Sequence, residues 1–498
     1  MIKKKRRKQN NELKRGVGTG SFVSFASVGL LIMIIMPYMV YQQGAGAAWV
    51  AIGSFVGVLM LWQADSYRLM RFSLQQENRV TLPGFFSARF QEKRPVLLGI
   101  FSVLLLLFFW LAGTALLYGM AILLEALFGI KPMYSILGIT LISTGLFFLF
   151  GRAGLSVADR TIAAMIMAGL MLMNFAIYRV LGINRILENI FHSWAAGSVS
   201  EFVNVGFMNG KRLGIMEIIS LFSMGLLVLG NPLCLQRFEQ ADRARTIHRS
   251  RRWAVIFCLL CLFVSVLTGG MLRASLYPAK VNSIPELFRM ILEEDQGRGF
   301  LFHLTGILFL IAAAALLLDL LHACVLQMSQ IINDNLLDWG RSRNGGTTKR
   351  NLLLCVLLSE MLVAAGALQC GDWIFPALKY ALIILACGLA PTTVLSLHFR
   401  RMNAAGCLAG LFTGSVFAAA WELIPLPFLE ERLTMHALTG LNAVLPAMLL
   451  GLGAGFLGAM LSKEPTKAVV DAYEEVQYRL VTVNDETEKK ETREYETE

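Results

Sequence analysis

Long apolar runs recur along this 498-residue chain, separated by short polar or charged segments. About 20 consecutive apolar residues cross the hydrocarbon of a bilayer as a helix. The pattern predicts twelve such helices, at 21–43, 46–64, 96–127, 133–151, 161–181, 213–234, 253–275, 301–332, 352–370, 374–398, 404–424 and 442–462. The third and eighth runs are longer than one crossing requires, which predicts tilt or protrusion. No run alternates with period two over strand lengths and no soluble domain of any size interrupts the series, so the fold class is an all-α polytopic membrane protein. The expected organisation is a basic tail over 1–20, a transmembrane region over 21–462 and a charged tail over 463–498. Within that tail, TKAVVDAYEEVQYRLV has the composition of a short surface helix, and the residues after it read as disordered.

Composition agrees, with 56% hydrophobic and 16% charged residues. The net charge of +11 follows topology and gives no sign of a nucleic-acid partner. Of the 45 Lys and Arg, 34 fall in the two tails and in the connections that share their side of the membrane, eight fall in the connections on the other side, and Arg179, Arg273 and Lys379 lie within spans. This asymmetry predicts an inner (plasma) membrane protein with both termini cytoplasmic. The eight cysteines are scattered, mostly in or beside the apolar runs, and indicate no disulfide framework. No nucleophile triad, phosphate loop or carboxylate dyad stands in a believable context, so no enzyme and no bound cofactor is expected. The bilayer and a small organic solute are the expected partners, and the oligomeric state is left open.

The first five runs are odd in number, so the next five run in the opposite orientation. This predicts two inverted repeats, about 21–181 and 213–398, followed by extra helices over 404–462. Transporters built this way place their site where the first helix of each repeat is discontinuous. Pro37 lies in the first run, and Gly225, Gly230 and Pro232 lie in the sixth. Such residues free backbone carbonyls that neighbours, water or an ion must satisfy.

Several stretches then resemble the sodium:solute symporter family, most of all its sodium/proline branch. They are AWVAIGSFVGVLMLWQ (48–63) with RVTLPGFFSARF (79–90), LSVADRTIAAMIM at the start of the fifth run, GNPLCLQRFEQADRARTIHRSRRW closing the sixth, and YALIILACGLAPTTVLSLHFRRMNAAGCLAGLFTG in the tenth and eleventh. The resemblance implies a leucine-transporter-type five-plus-five inverted repeat plus two C-terminal helices. The family has one further helix at the start, and this chain begins where the family's second helix would.

The resemblance also implies a Na+ site between the first core helix and the eighth, where backbone carbonyls and hydroxyls supply the oxygens a hard cation needs. Two departures stand out. FVSFASVGLLIMIIMP is shorter than the family pattern and lacks the small polar stretch around an aspartate, leaving Ser27 and Gly29 as the nearest small residues. In ALLLDLLHACVLQ (315–327), Asp319 and Leu320 align with the family's adjacent Ser and Thr, and Leu316 with a small residue. An intramembrane carboxylate either takes part in ion or proton handling or is neutral glue between helices. The ion-site candidates are Asp319, with Na+ possible there, His322 one turn on, Ser27, and Asp159 at the start of the fifth run. The substrate-site candidates are Ser223, Met224, Gly225 and Asn231, in the region where the family breaks its helix. Glu360 and Lys379 face each other across the short turn GDW, which predicts a structural pair or a snorkelling lysine over a transport role.

The expected function is cation-coupled symport of a small organic solute such as proline or another amino acid by alternating access, with Na+ or H+ as coupling ion. The alternative is a transporter-shaped sensor or partner subunit that no longer transports.

Overall fold

The computed structural model describes residues 28–66, 68–69, 72, 81–91, 95–192, 199–239, 244–293, 299–337, 349–425 and 434–477, without the side chains of 150–160 among others. Eleven of its helices are long and apolar enough to cross a membrane. The first expected span appears as a shorter apolar helix, Val28–Gln43. At 1.5 Å per residue, its described part extends about 24 Å, less than the roughly 30 Å of hydrocarbon.

In chain order, α1 (28–43) opens through a π-helical turn, Leu31–Ile35, before Met36–Gln43. Next come α2 (Ala45–Asp65), α3 (Leu82–Arg89), α4 (Val96–Phe128), α5 (Pro132–Phe191) and the short α6 (Val199–Val203). A two-stranded antiparallel hairpin, β1 (Phe207–Met208) with β2 (Lys211–Arg212), precedes α7 (Ile215–Gly225), a 3-10 segment Leu226–Gly230 and α8 (Pro232–Glu239). The second half continues with α9 (Ala244–Leu276), α10 (Ile284–Leu292), α11 (Gly299–Gln330, prolonged by the π-helical Ile331–Leu337), α12 (Lys349–Gln369), α13 (Ile374–His398), α14 (Ala404–Leu423), α15 (Met435–Thr439) and α16 (Val444–Leu461). A last helix, α17, covers 467–477.

One element departs from the expected spans. The fourth and fifth runs share the single helical element α5, whose two apolar stretches are Pro132–Leu149 and Thr161–Phe191. Sixty residues of straight helix would measure about 90 Å, far more than a bilayer. Gly182, at φ +72°, departs from helical backbone where the fifth run was expected to end, and the chain then continues helically to Phe191.

Packing relies on small residues, because apolar side chains gain nothing from leaving lipid tails. Gly406, Gly410 and Gly414 on α14 face Gly451, Gly455 and Ala459 on α16, backbone against backbone. The expected surface helix in the C-terminal tail is present as α17. Thr81 caps α3 by accepting from the Gly84 amide at 3.3 Å, with Pro83 in the first turn. The TLPGFF stretch is therefore a helix start.

Candidate functional site

The sixth run breaks in the middle. Helix α7 ends at Gly225, the next five residues tighten to 3-10 geometry, and Asn231 is extended (φ −69°, ψ 116°) before Pro232 opens α8. Asn231 Oδ1 accepts from the Leu233 amide at 3.1 Å, so its side chain starts the second half-helix. Proline supplies no amide and fits the first turn.

Close backbone contacts hold this break. A Cβ at Gly225 would stand 2.1 Å from the Ser54 nitrogen and 2.6 Å from the Val50 oxygen of α2, and one at Gly230 would stand 2.2 Å from the Ala386 oxygen of α13. Only hydrogen fits at either position. Among the substrate-site candidates, Gly225 therefore faces α2. Ser223 is fully buried, its Oγ 2.9 Å from Ser220 O and 2.8 Å from Asn442 Oδ1. Met224 is half-buried.

Asn442 ties α7 to the start of α16. Its amide nitrogen reaches Ser220 O at 2.5 Å and its backbone N–H donates to Ser220 Oγ at 3.0 Å. The adjacent Ala443 N–H donates to buried Glu422 at 2.8 Å, and the other Glu422 oxygen lies 2.7 Å from His436 Nδ1. Sequence reasoning missed this network, because its members come from three separate parts of the chain. It also missed Gln236 on α8, which is fully buried with neither amide atom hydrogen-bonded among the described residues.

The first repeat's opening helix behaves differently. From Val28 to Gln43, α1 is helical throughout, and it departs from α geometry only in the π turn ahead of Pro37. Ser265 on α9 donates to Ile32 O in that turn at 2.6 Å. Ser27 lies outside the described residues.

Asp319 and His322 share α11 and are half-buried, while Leu316 and Leu320 beside them are buried. The His322 ring lies 5.3 Å from that of Phe147 on α5. Helix α11 packs chiefly on α5, α4 and α12, whereas α1 packs chiefly on α9. The Asp159 side chain lies outside the described residues. Glu360 and Lys379 do not pair. Glu360 is buried and accepts from Ser143 at 2.7 Å, while Lys379 is exposed with its ammonium 5.3 Å from the Tyr380 ring centre. An exposed ammonium on an apolar stem is the disposition expected of a snorkelling lysine.

Around α3 and α17, a second unforeseen cluster forms. Arg89 of α3 is buried, donates to Ser396 O at 2.9 Å and Val469 O at 3.3 Å, and stands within 5.5 Å of the rings of Phe72, Phe90 and Tyr473. Burial lowers its guanidinium to about 10, and Tyr473 partly opposes the shift. Buried Asp65 accepts from His398 Nε2 at 3.0 Å, which leaves Nδ1 to accept from Arg68 at 2.5 Å, and Arg68 also reaches Gln477 at 3.3 Å. Tyr473 donates to His398 O at 2.8 Å. Helix α17 is thereby fastened across α2, α3 and α13.

A multi-span helical bundle whose second repeat opens with a helix broken midway is a membrane transporter of the leucine-transporter-type fold, and not an enzyme. A solved structure of a Na+-coupled sialic acid symporter has the same fold, with a TM-score of 0.66 at 14% identity over 92% of this chain and 97% of that one. The family model "Sodium:solute symporter family" matches residues 17–414, and the chain belongs to that family. Similar curated proteins include the osmoregulated proline transporter OpuE of Bacillus subtilis, 24% identical over 92% of this chain and 91% of its own length. The sodium/proline symporter of Salmonella typhimurium is 25% identical over 92% of this chain and 89% of its own length.

Proposed function

We propose that this protein carries a small amino acid or imino acid of the proline class into the cell, driven by Na+ or H+, by alternating access around the break at 226–231. The observation that carries the reading is the break itself. The half-helices α7 and α8 leave 3-10 and extended backbone between them, and half-helix ends of this kind meet charged solute groups and cations in such folds. Membership of a symporter family and the proline-transporting relatives support the solute class. The charge asymmetry supports an inner-membrane location with cytoplasmic termini.

In this reading Ser223, Met224, Gly225 and Asn231 border the solute path. Asp319 with His322 handles the coupling ion, and Ser27 and Asp159 contribute to the same ion path. No bound cofactor takes part. The test is uptake of labelled proline and a panel of other amino acids into proteoliposomes under separately imposed Na+ and H+ gradients, with the parent chain and Asp319→Asn. Uptake driven by one of the gradients is expected, with several-fold loss in the variant. No uptake of any amino acid, sugar or carboxylate would overturn the reading.

A second reading, a transporter-shaped sensor or partner subunit, is favoured by two observations. The described part of α1 has no unwound stretch, and Leu316 and Leu320 are sealed in beside Asp319. Binding of proline without uptake would select it.

A further inference from the structure

Glu360 lies about halfway along α12 and is 2% exposed. Its Oε1 accepts from the Ser143 hydroxyl at 2.7 Å, and Ser143 is itself buried. Its Oε2 is buried with no hydrogen-bond partner among the described residues, and the same holds for the hydroxyl of the preceding Ser359. An ionised carboxylate presents about four lone-pair positions to donors, and here one hydroxyl serves them. At this depth a carboxylate persists only if it is protonated, paired or hydrated.

Among the described residues, no cation pairs with it. Helix α12 packs on α4, α5 and α11. No Lys or Arg occurs in α4, in residues 132–149 of α5 or in α11 with its π-helical extension. The titratable groups on those elements are Tyr118 and Glu125 on α4, Tyr134 on α5, and His303, Asp319, His322, Cys324 and Asp334 on α11 and its extension. Tyr118 reaches Asp372 beyond the end of α12, whereas Trp110, two turns earlier, reaches Leu362 O, so Tyr118 and Glu125 lie well away from Glu360. Ser143, which holds Glu360, and Phe147, which meets the His322 ring, are four residues apart on α5. The Glu360 carboxyl and the His322 ring therefore meet adjacent turns of one helix, about 6 Å apart along its axis.

We infer that Glu360, hydrogen-bonded by Ser143, is a proton-binding site inside the membrane, and that transport depends on its loading and release. The ligand is H+. An O–H bond forms at Oε2 when the proton binds, and release returns that proton to water with the carboxylate left behind. The site is distinct from the break at 226–231. The transport half of the inference rests on the symporter reading, and the proton-binding half does not.

The experiment uses the full chain in proteoliposomes, as parent, Glu360→Gln and Ser143→Ala. Glu360→Gln keeps the shape and the acceptor for Ser143, so it preserves the fold. Infrared difference spectra between acid and alkaline pH are expected to show a protonated-carboxyl band in the parent that is absent from Glu360→Gln and shifted in Ser143→Ala. Na+-driven uptake of labelled proline is expected to fall several-fold with rising pH in the parent and to become nearly flat in Glu360→Gln. A parent without that titrating band, or a band unchanged in Glu360→Gln, overturns the site. A band that behaves as expected, with the same pH profile of uptake in parent and variant, overturns its part in transport. The band without uptake of any solute by the parent leaves the proton site standing and removes the symporter reading.

Discussion

The opening helices of the two repeats absorb the same demand in different ways. Helix α1 widens into one π turn ahead of Pro37 and stays helical, with a freed carbonyl, Ile32 O, taken by the Ser265 hydroxyl. Its counterpart stops at Gly225, runs through 3-10 turns and restarts at Pro232. The difference lies in what surrounds each. Around Gly225 and Gly230 the backbones of α2 and α13 come so close that only glycine fits, and the chain between has its path imposed by neighbours. Around Leu31–Ile35 the carbonyl is answered by one side chain of α9, which a helix accommodates without ending. A membrane helix breaks fully where backbones press on it from two sides, and bulges where a single hydroxyl suffices.

The severest challenge to this comparison is Gly225→Val. Its branched side chain would meet backbone atoms of Ser54 and Val50, which cannot move without shifting α2. We expect a loss of about 3 kcal/mol or more, typical of strong overpacking, read as a lowered midpoint of thermal unfolding and as abolished uptake.

Next in size is Arg89→Ala. Two carbonyls, Ser396 O and Val469 O, lose their donor, and α17 loses its anchor. At about 1–3 kcal/mol for a buried acceptor left unpaired, hydrogen exchange over 467–477 should rise sharply while exchange in α7 and α8 stays unchanged. Exchange rising equally in α8 would show that the break depends on the Arg89 clamp and not on its close backbone neighbours.

Asn231→Ala removes the side-chain acceptor that starts α8, at a cost of about 1 kcal/mol. Faster exchange confined to the first turn of α8 is expected, with uptake reduced several-fold. Smallest is Ser265→Ala, which leaves the single acceptor Ile32 O without its donor, about 1 kcal/mol, the low end for a buried acceptor left unpaired. Exchange should increase in α1 alone. Equal effects of the last two substitutions on uptake would remove the functional distinction between bulge and break.

The legible part of this protein is large. The positions of the spans, the place of the break and the C-terminal surface helix follow from hydropathy, from the Gly and Pro of LLVLGNP and from the amphipathic composition of 467–477. The illegible part is pairwise. Glu360 and Lys379 are close in sequence, yet the carboxyl turned inward to the buried Ser143 hydroxyl and the lysine outward to the surface. The Asn442 network, the Arg89 clamp and the bare Gln236 amide carried no local signal, since each depends on residues far apart in the chain.

By itself, then, the sequence determined that this is a helical membrane protein of transporter pattern, because lipid forces every backbone polar group to be satisfied within a helix and apolar length sets each crossing. Only the tertiary structure decided which carbonyls, carboxyls and guanidinium groups are answered, and by whom. In a medium that rewards no apolar contact over another, small residues and a few hydrogen bonds select the partners, and those arise only once the helices are side by side.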